Sequence, residues 1–552
     1  MSSLRQGLAF SVLIIGINLL GSPANAQIRE QLSQAINDAG YLRIAHTKPL
    51  LATPANDAGR VESSRAMQRI LLVLSPSPEQ ENQLKQLLDE QQNRKSPQYH
   101  HWLNADEFAA KFGVADADVE KAKQWLQGRG FTVAQTAKSK RWVEFSGTSQ
   151  QVEQAFHTEL HYYKLGEKQY VANATDIAIP NALAEISGGV VSLNSLGKRP
   201  PRRIVAGTTG SSLATLHGGL RPQLTYTGAT NAYYVAPGDF AAIYNTKPLL
   251  SSGIDGTGVA IAVIAQSQFE LTDVQTFRQI FKLSANDPNI VVVGPSPGFS
   301  NPTDAEEALL DTEWAGAVAP GAMISVVIAG STDTTSGVDL AAAYAIDNEV
   351  APILTYTYGG CEAALGPAGN AFYNALWQQA AAEGITVLVA AGDNGAAGCD
   401  HPNFGLPASR GFAVNGAAAT PYNVAVGGTQ FADQGNEANY WNATDAGDFS
   451  SAIGYIRKWR GTTVAIPGRR PARRTACMET AISACWREAA GRARSMQNRR
   501  GKQARAFPRM ARAMCPMWRW QRGLGMTTLC IAPATLGRGP RAKSMRKIIW
   551  WD

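Results

Sequence analysis

From residue 258 to residue 391 the chain alternates continuous apolar runs with helical apolar periods. Residues 258–265 are apolar throughout, as a strand buried on both faces must be. Helical periods follow over 273–281, 338–346 and 371–383, and strand-like runs over 290–293, 324–328, 353–358 and 385–391. This alternation predicts an α/β domain, a parallel sheet with helices on both faces, beginning near Tyr233. Functional residues then belong at the carboxyl ends of the strands. Two ends stand out: Tyr358-Gly359-Gly360-Cys361-Glu362 and Gly392-Asp393-Asn394-Gly395.

One helix of this domain carries an unusual polar pattern. Leu309, Leu310, Ala317 and Val318 fall on a helical apolar period, and Pro320-Gly321 ends the run. Glu307 and Asp311 stand four residues apart, so both carboxylates leave one helix face. On a solvated face the pair is merely repulsive. Inside a cleft the same repulsion splits the two titrations, and one carboxyl can act as a base while its neighbour supports it. The spacing alone leaves both readings open.

The N-terminal part reads differently. Residues 27–66 are weakly patterned and are expected to form a loosely structured lead-in. Strands are predicted over 70–74, 131–133, 142–145 and 160–163. Helices are predicted from Ser77-Pro78-Glu79 to about 92, and over 106–112, 116–127 and 152–156. The result is a compact α+β module. Within it Gly147-Thr148-Ser149 looks like a nucleophile motif, but Gln151 lies three residues after Thr148, the spacing of a capping box. His100-His101 lacks further ligands at metal spacing and is taken as a turn. Residues 195–227 are polar, rich in Gly, Thr and Ser, and open with Lys198-Arg199-Pro200-Pro201-Arg202-Arg203, an accessible linker open to cleavage.

Charge and composition change the picture at both ends. The net charge of +7 averages two unlike pieces. From Arg457 onward 23 Lys and Arg face 3 acidic residues, leaving 28 basic and 41 acidic residues before it. That tail also holds seven of the ten methionines and four of the six cysteines. At the other end Arg5, the apolar run 8–20 and Ala24-Asn25-Ala26 form an export signal over residues 1–26, too short for a membrane span. A secreted or periplasmic location is therefore expected, and there disulfides persist. Cys361 and Cys399, each just past a predicted strand end, are expected to pair. Asn442-Ala443-Thr444 fits a glycosylation sequon.

Together these stretches resemble the sedolisin/kumamolisin family of serine-carboxyl peptidases over roughly residues 65–456. In the N-terminal module the resemblance rests on Tyr99-His100-His101-Trp102-Leu103 and Phe108-Ala109-Ala110-Lys111-Phe112-Gly113. Further on it rests on Glu307-Ala308-Leu309-Leu310-Asp311, Ala319-Pro320, Tyr358-Gly359 and Ala391-Gly392-Asp393-Asn394-Gly395. The resemblance implies an activation prodomain (27–194, core about 66–175), the linker 195–227, and a subtilisin-like peptidase domain over 228–456. It implies Glu307 as the base for a serine nucleophile, Asp311 as its orienting partner, Asp393 as the oxyanion donor, and substrate contacts at Tyr358 and Gly359. Asp393 can donate only when protonated, and a carboxylate base also works in acid, so both favour acidic pH. Past the linker the one histidine is His401, a sole candidate for a Ser-His-Asp triad. The family implies a peptide substrate, the prodomain as intramolecular inhibitor, calcium as cofactor, and a monomer without specific nucleic-acid binding or a membrane span.

The chain departs from the family after residue 456. The expected Gly-Thr-Ser-x-Ser-like segment and the calcium ligands after it are absent, and residues 457–552 show no helix or strand period. Moving the reading frame back one base accounts for this, because each new codon then takes its last two bases from the first two of the present one. Residues 457–465 can be read as Pro-Glu-Val-Ala-Trp-Asn-Asp-Ser-Cys, and residues 506–519 as Gly-Val-Pro-Ala-Asp-Gly-Ala-Arg-Asp-Val-Pro-Asp-Val-Ala. Codons after Met begin with G, which yields Gly at Ala511 and Val at Cys515 and Trp518. On this reading the chain is a truncated, inactive peptidase precursor with an irregular, frame-shifted tail. Two other classes remain: a non-catalytic peptide-binding protein, and a basic tail that binds nucleic acid or anionic surfaces.

Overall fold

A computed structural model of the chain describes residues 28–191, 193–196, 225–226, 232–233, 235–392, 395–400, 410–433 and 436–460. The export signal, residues 197–224 of the linker, Asp393, His401 and residues 461–552 lie outside the described residues.

The N-terminal module is organised by one apolar strand. It runs through β1 (Tyr41–Arg43), β2 (Asp57–Arg60), β3 (Ala66–Leu74), α1 (Pro78–Gln92), α2 (Ala105–Phe112), α3 (Asp116–Gly128), β4 (Thr132–Thr136) and β5 (Trp142–Thr148). It continues with α4 (Ser149–Phe156), β6 (Leu160–Leu165), β7 (Lys168–Asn173), β8 (Ala178–Pro180), α5 (Asn181–Ile186) and β9 (Ser187–Val191). The main sheet has the order β4-β5-β3-β9, antiparallel throughout. Side chains alternate across a strand. In β3, Ile70, Leu72 and Leu74 therefore enter the module's own core with Trp125, Phe145 and Phe156. Leu71 and Val73 face the other way and join a core shared with the second domain. The caps hold as the spacing suggests: Thr148 and Gln151 form a reciprocal capping box, and Ser77 and Gln80 form another.

Two features of the module differ from expectation. The lead-in is not loose over its whole length, because β1 pairs with β8 and β2 with β6. These partners lie more than 100 residues away, and such short polar strands carry no period of their own. Elements β7, β8, α5 and β9 were likewise not marked by the hydrophobic pattern.

After the short hairpin β10 (Thr225–Tyr226) and β11 (Ala232–Tyr233), the second domain begins with α6 (Pro237–Ile243) and α7 (Lys247–Ser251). Then come β12 (Ala260–Ala265), α8 (Leu271–Ile280), β13 (Asn289–Val293), α9 (Pro302–Val318), β14 (Met323–Ala329), α10 (Gly337–Asp347), β15 (Ile353–Tyr356), α11 (Glu362–Ala382), β16 (Thr386–Ala390) and β17 (Val424–Val426). Strands β12–β17 form one six-stranded sheet, order β13-β14-β12-β15-β16-β17, with every pair parallel. Ala262 and Ile264 pack under α10 and α11, while Val263 and Ala265 pack under α9. The domain is thus α/β with helices on both faces, as the alternation predicted. The continuous apolar run is explained by burial on both sides. The two-stranded ribbon of β18 (Thr429–Phe431) and β19 (Lys458–Arg460) ends the described chain. Residues 458–460 are therefore paired, although an irregular tail was expected from Arg457.

Candidate functional site

The acidic pair lies on the buried side of α9. Asn301 caps that helix, its Oδ1 accepting the Asp304 N–H at 3.0 Å, and Pro302 stands at the first turn. The expected apolar stripe holds only in part: Ala317 is buried, Leu309 and Leu310 are half-buried and Val318 is exposed, whereas Asp304, Glu307, Ala308, Asp311 and Glu313 are buried. A helix that buries four carboxylates and leaves Val318 outside is not organised by hydrophobicity alone. The solvated-face reading of Glu307 and Asp311 is thereby excluded.

Asp311 is the best defined of these carboxylates. Its Oδ2 accepts a hydrogen bond from the Thr357 hydroxyl at 2.7 Å, and its buried Oδ1 has no partner. Burial pushes its carboxyl up to about 7, and the Thr357 bond opposes that shift. Thr357 lies just past β15, so the strand end expected to carry function reaches the acidic helix. The next residue, Tyr358, is fully buried, and its hydroxyl has no partner. Burial holds its phenol well above the usual value, and Asp304, Glu307 and Asp311 add to the shift. Tyr358 thus sits within electrostatic reach of all three carboxylates.

The strand ends of β15 and β16 are tied together by Asn415. Its Nδ2 donates to the Ala390 carbonyl at 2.7 Å and its Oδ1 accepts the Ala417 N–H at 3.1 Å. Gly359 runs so close that an added Cβ would overlap this amide, which accounts for glycine there. Cys361 and Cys399 are joined in a disulfide, and Cys361 also bridges to Asn415 through the backbone. A further network backs the sheet: Tyr356 and Tyr373 hydroxyls are 2.5 Å apart, and Tyr373 donates to Asp339. Sequence reasoning missed Thr357, Asn415, Asp304 and this Tyr-Tyr-Asp network. Thr357 had a weak signal, its place beside Tyr358-Gly359. The others had none.

The structure brings together Glu307, Asp311, Tyr358 and Gly359; Asp393 lies outside the described residues, between Gly392 and Gly395. Among the described residues no group of three or more His, Cys, Asp or Glu could hold a metal. The segment in which the family's calcium ligands would fall also lies outside them. No helix among the described residues is long and apolar enough to cross a membrane.

Asp311 links stability to pH. Its folded value of about 7 lies above the unfolded one of roughly 4. Its contribution is therefore complete below about pH 4 and lost as pH rises through about 7. The urea midpoint of the peptidase domain is expected to be higher at pH 5 than at pH 8, and the gap should narrow in Asp311→Asn. In Thr357→Val, loss of the donor should move the Asp311 carboxyl titration further up, as read by carboxyl infrared bands.

Fold and site define an α/β domain with a buried acidic pair at the sheet's carboxyl end, covered by an α+β module. Residues 54–196 match the family model described as Pro-kumamolisin, activation domain. Kumamolisin from Bacillus sp. (strain MN-32) is 29% identical over 66% of this chain and 64% of its own length. Sedolisin from Pseudomonas sp. (strain 101) is 26% identical over 72% and 68%, and xanthomonalisin from Xanthomonas sp. (strain T-22) 23% over 75% and 52%. Beyond the activation-domain match, the chain is thus similar along most of its described length to peptidases of the sedolisin/kumamolisin kind. It spans about two thirds of kumamolisin's length and about half of xanthomonalisin's.

Proposed function

We propose that the chain is the precursor of a secreted serine-carboxyl peptidase, truncated in this reading and inactive as written. The observation that carries this is the inward-facing pair Glu307 and Asp311 beside Tyr358 and Gly359, on a family-matched chain. Glu307 would take the proton of a serine nucleophile, and Asp311, braced by Thr357, would orient Glu307 and take up part of its charge. Two buried carboxyls on one helix face oppose simultaneous ionisation, and burial raises the pKa of Asp311, which suits work in acid. Asp393, protonated, would donate to the oxyanion. Neither Glu307, Asp311 nor Asp393 can serve as the missing serine, so bond cleavage stops without it. The substrate would be a protein or peptide, and residues 27–194 would inhibit in cis until the linker is cut.

Incubating a mixed peptide library at pH 4 with the linker-cleaved chain is expected to yield no new peptide termini. The same chain with its frame moved back one base at codon 457 should yield them. Turnover by the chain as written that vanishes in Glu307→Ala would overturn inactivity. Silence from the restored chain, with peptide still bound, would favour the non-catalytic binding reading. An external protease should cut first within 195–227, giving a new N-terminus there by mass spectrometry; earlier cutting elsewhere would move the boundary.

A further inference from the structure

Strand β15 and the residues just past it divide their side chains between two sides of the sheet. Leu354, Tyr356 and Tyr358 join the core under α10 and α11, while Thr357 points the other way, to Asp311 on α9. The ladders that hold β15 stop short of Thr357. Its pairing with β12 ends at Thr355 and its pairing with β16 ends at Tyr356. Beyond them the Asn415 amide reaches the Tyr358 carbonyl only at 3.5 Å. Sheet register alone therefore does not place the residue that braces the acidic pair. What grips the strand at that point is a chain of hydroxyls behind it.

Tyr356 from β15, Tyr373 from α11 and Asp339 from α10 are all fully buried. Tyr373 donates to Asp339 Oδ1, and its hydroxyl lies 2.5 Å from that of Tyr356. With the Tyr373 proton committed to the carboxylate, Tyr356 is the donor in the second bond. Asp339 stands in the first turn of α10, where the helix dipole favours a carboxylate. Burial, and then the charge of Asp339, hold both phenols well above the usual value, so both protons stay in place at acidic and neutral pH. The rings add their own contacts: Tyr356 meets Tyr373 edge to face at 5.6 Å and Tyr358 at 6.4 Å. Phenylalanine at 356 and 373 would fill the same space without burying two hydroxyls and a carboxylate. What the polar chain adds is direction, because each hydrogen bond fixes one element against the next.

We propose that Asp339, Tyr373 and Tyr356 are positioning residues for the acidic pair: their hydrogen-bonded chain anchors the end of β15 from one side of the sheet, so that Thr357 delivers its hydroxyl to Asp311 on the other. For its effect on turnover the inference rests on the reading of Asp311 as partner of the base; the geometry it asserts belongs to the chain as written. The three residues act through the peptide that joins Tyr356 to Thr357. Asp304 and Glu307 from α9 and Tyr358 from the strand end are the titratable groups gathered with Asp311. Thr357 is the neutral donor bonded to it, so the Asp311 titration reports where that hydroxyl stands. If the strand end loosens, the ionised carboxylate loses its donor and the titration moves up from about 7.

The test is the Asp311 carboxyl titration in the full chain as written, isolated by infrared difference against Asp311→Asn. Tyr356→Phe and Tyr373→Phe each keep the ring and delete one hydroxyl. Each is expected to move the titration up by roughly half a pH unit or more, in the direction of Thr357→Val. In the Thr357→Val background Tyr356→Phe should add nothing, since no hydroxyl is left to place. A merely structural role would lower the urea midpoint and leave the titration where it is; that result in both single variants would overturn the proposal. So would a full further shift from Tyr356→Phe on top of Thr357→Val. In the frame-restored chain Tyr356→Phe is expected to lower kcat several-fold with KM little changed. A shifted titration in a restored chain that hydrolyses nothing would uphold the positioning and refute the peptidase reading.

Discussion

In the frame-restored chain, Glu307→Gln is expected to lower peptide turnover roughly 100- to 10,000-fold, with KM little changed. Gln keeps the size and the hydrogen-bonding reach of Glu307 but cannot accept the proton a serine must lose. The lost interaction exists only in the transition state, so kcat and kcat/KM should fall together. Asp311→Asn should produce a smaller loss and shift the acidic limb of the pH profile, because it removes the ionisable carboxyl beside the base. Equal turnover in Glu307→Gln and the parent would mean that the buried acids are structural. A Ser-His-Asp triad through His401 would then return as the competing account.

The largest effect on stability is expected at Trp377. Its ring is fully buried against Tyr356 and Tyr373, with centroids 5.6 Å from each, and its Nε1 donates to the Ala417 carbonyl at 2.9 Å. Trp377→Ala removes the largest buried side chain and leaves that carbonyl without its donor, a loss of about 3–5 kcal/mol. A domain whose whole stability is of order 5–15 kcal/mol would be brought close to unfolding. Trp377→Phe should lose less, since it keeps ring packing and gives up the hydrogen bond and part of the volume. Urea midpoints followed by tyrosine fluorescence and far-ultraviolet dichroism measure both. A drop below about 1 kcal/mol in Trp377→Ala would show that the α11 side of the sheet is loosely packed.

Long, strongly periodic segments were legible in the chain because their burial is local in cause. Residues 258–265, 324–328 and 385–391 are apolar at nearly every position, and the first two strands are buried under helices on both faces. The helix boundaries over 78–92 and 116–128 were legible through Ser77 and through Gly128-Arg129-Gly130. The order of strands in the parallel sheet was not legible, since every one of them offers the same apolar edge to its neighbours.

By itself the sequence determined the α/β and α+β classes and the acidic pair, because periodicity, turn residues and i,i+4 spacing are properties of neighbours along the chain. Only the tertiary structure decided that α9 turns its carboxylates inward. The apolar residues at 309, 310 and 318 argued for another face, and the choice depended on Thr357 and Tyr358 arriving from a strand more than 40 residues away. It also decided to whom each face of β3 belongs. Alternation puts Leu71 and Val73 opposite Ile70 and Leu72, but nothing in the run says that the second face is covered by α11 of another domain. Partners so distant are joined by packing that no local pattern encodes, and it is that packing which buries Glu383, Asp347 and Asp311 and raises all three above the ordinary carboxyl range.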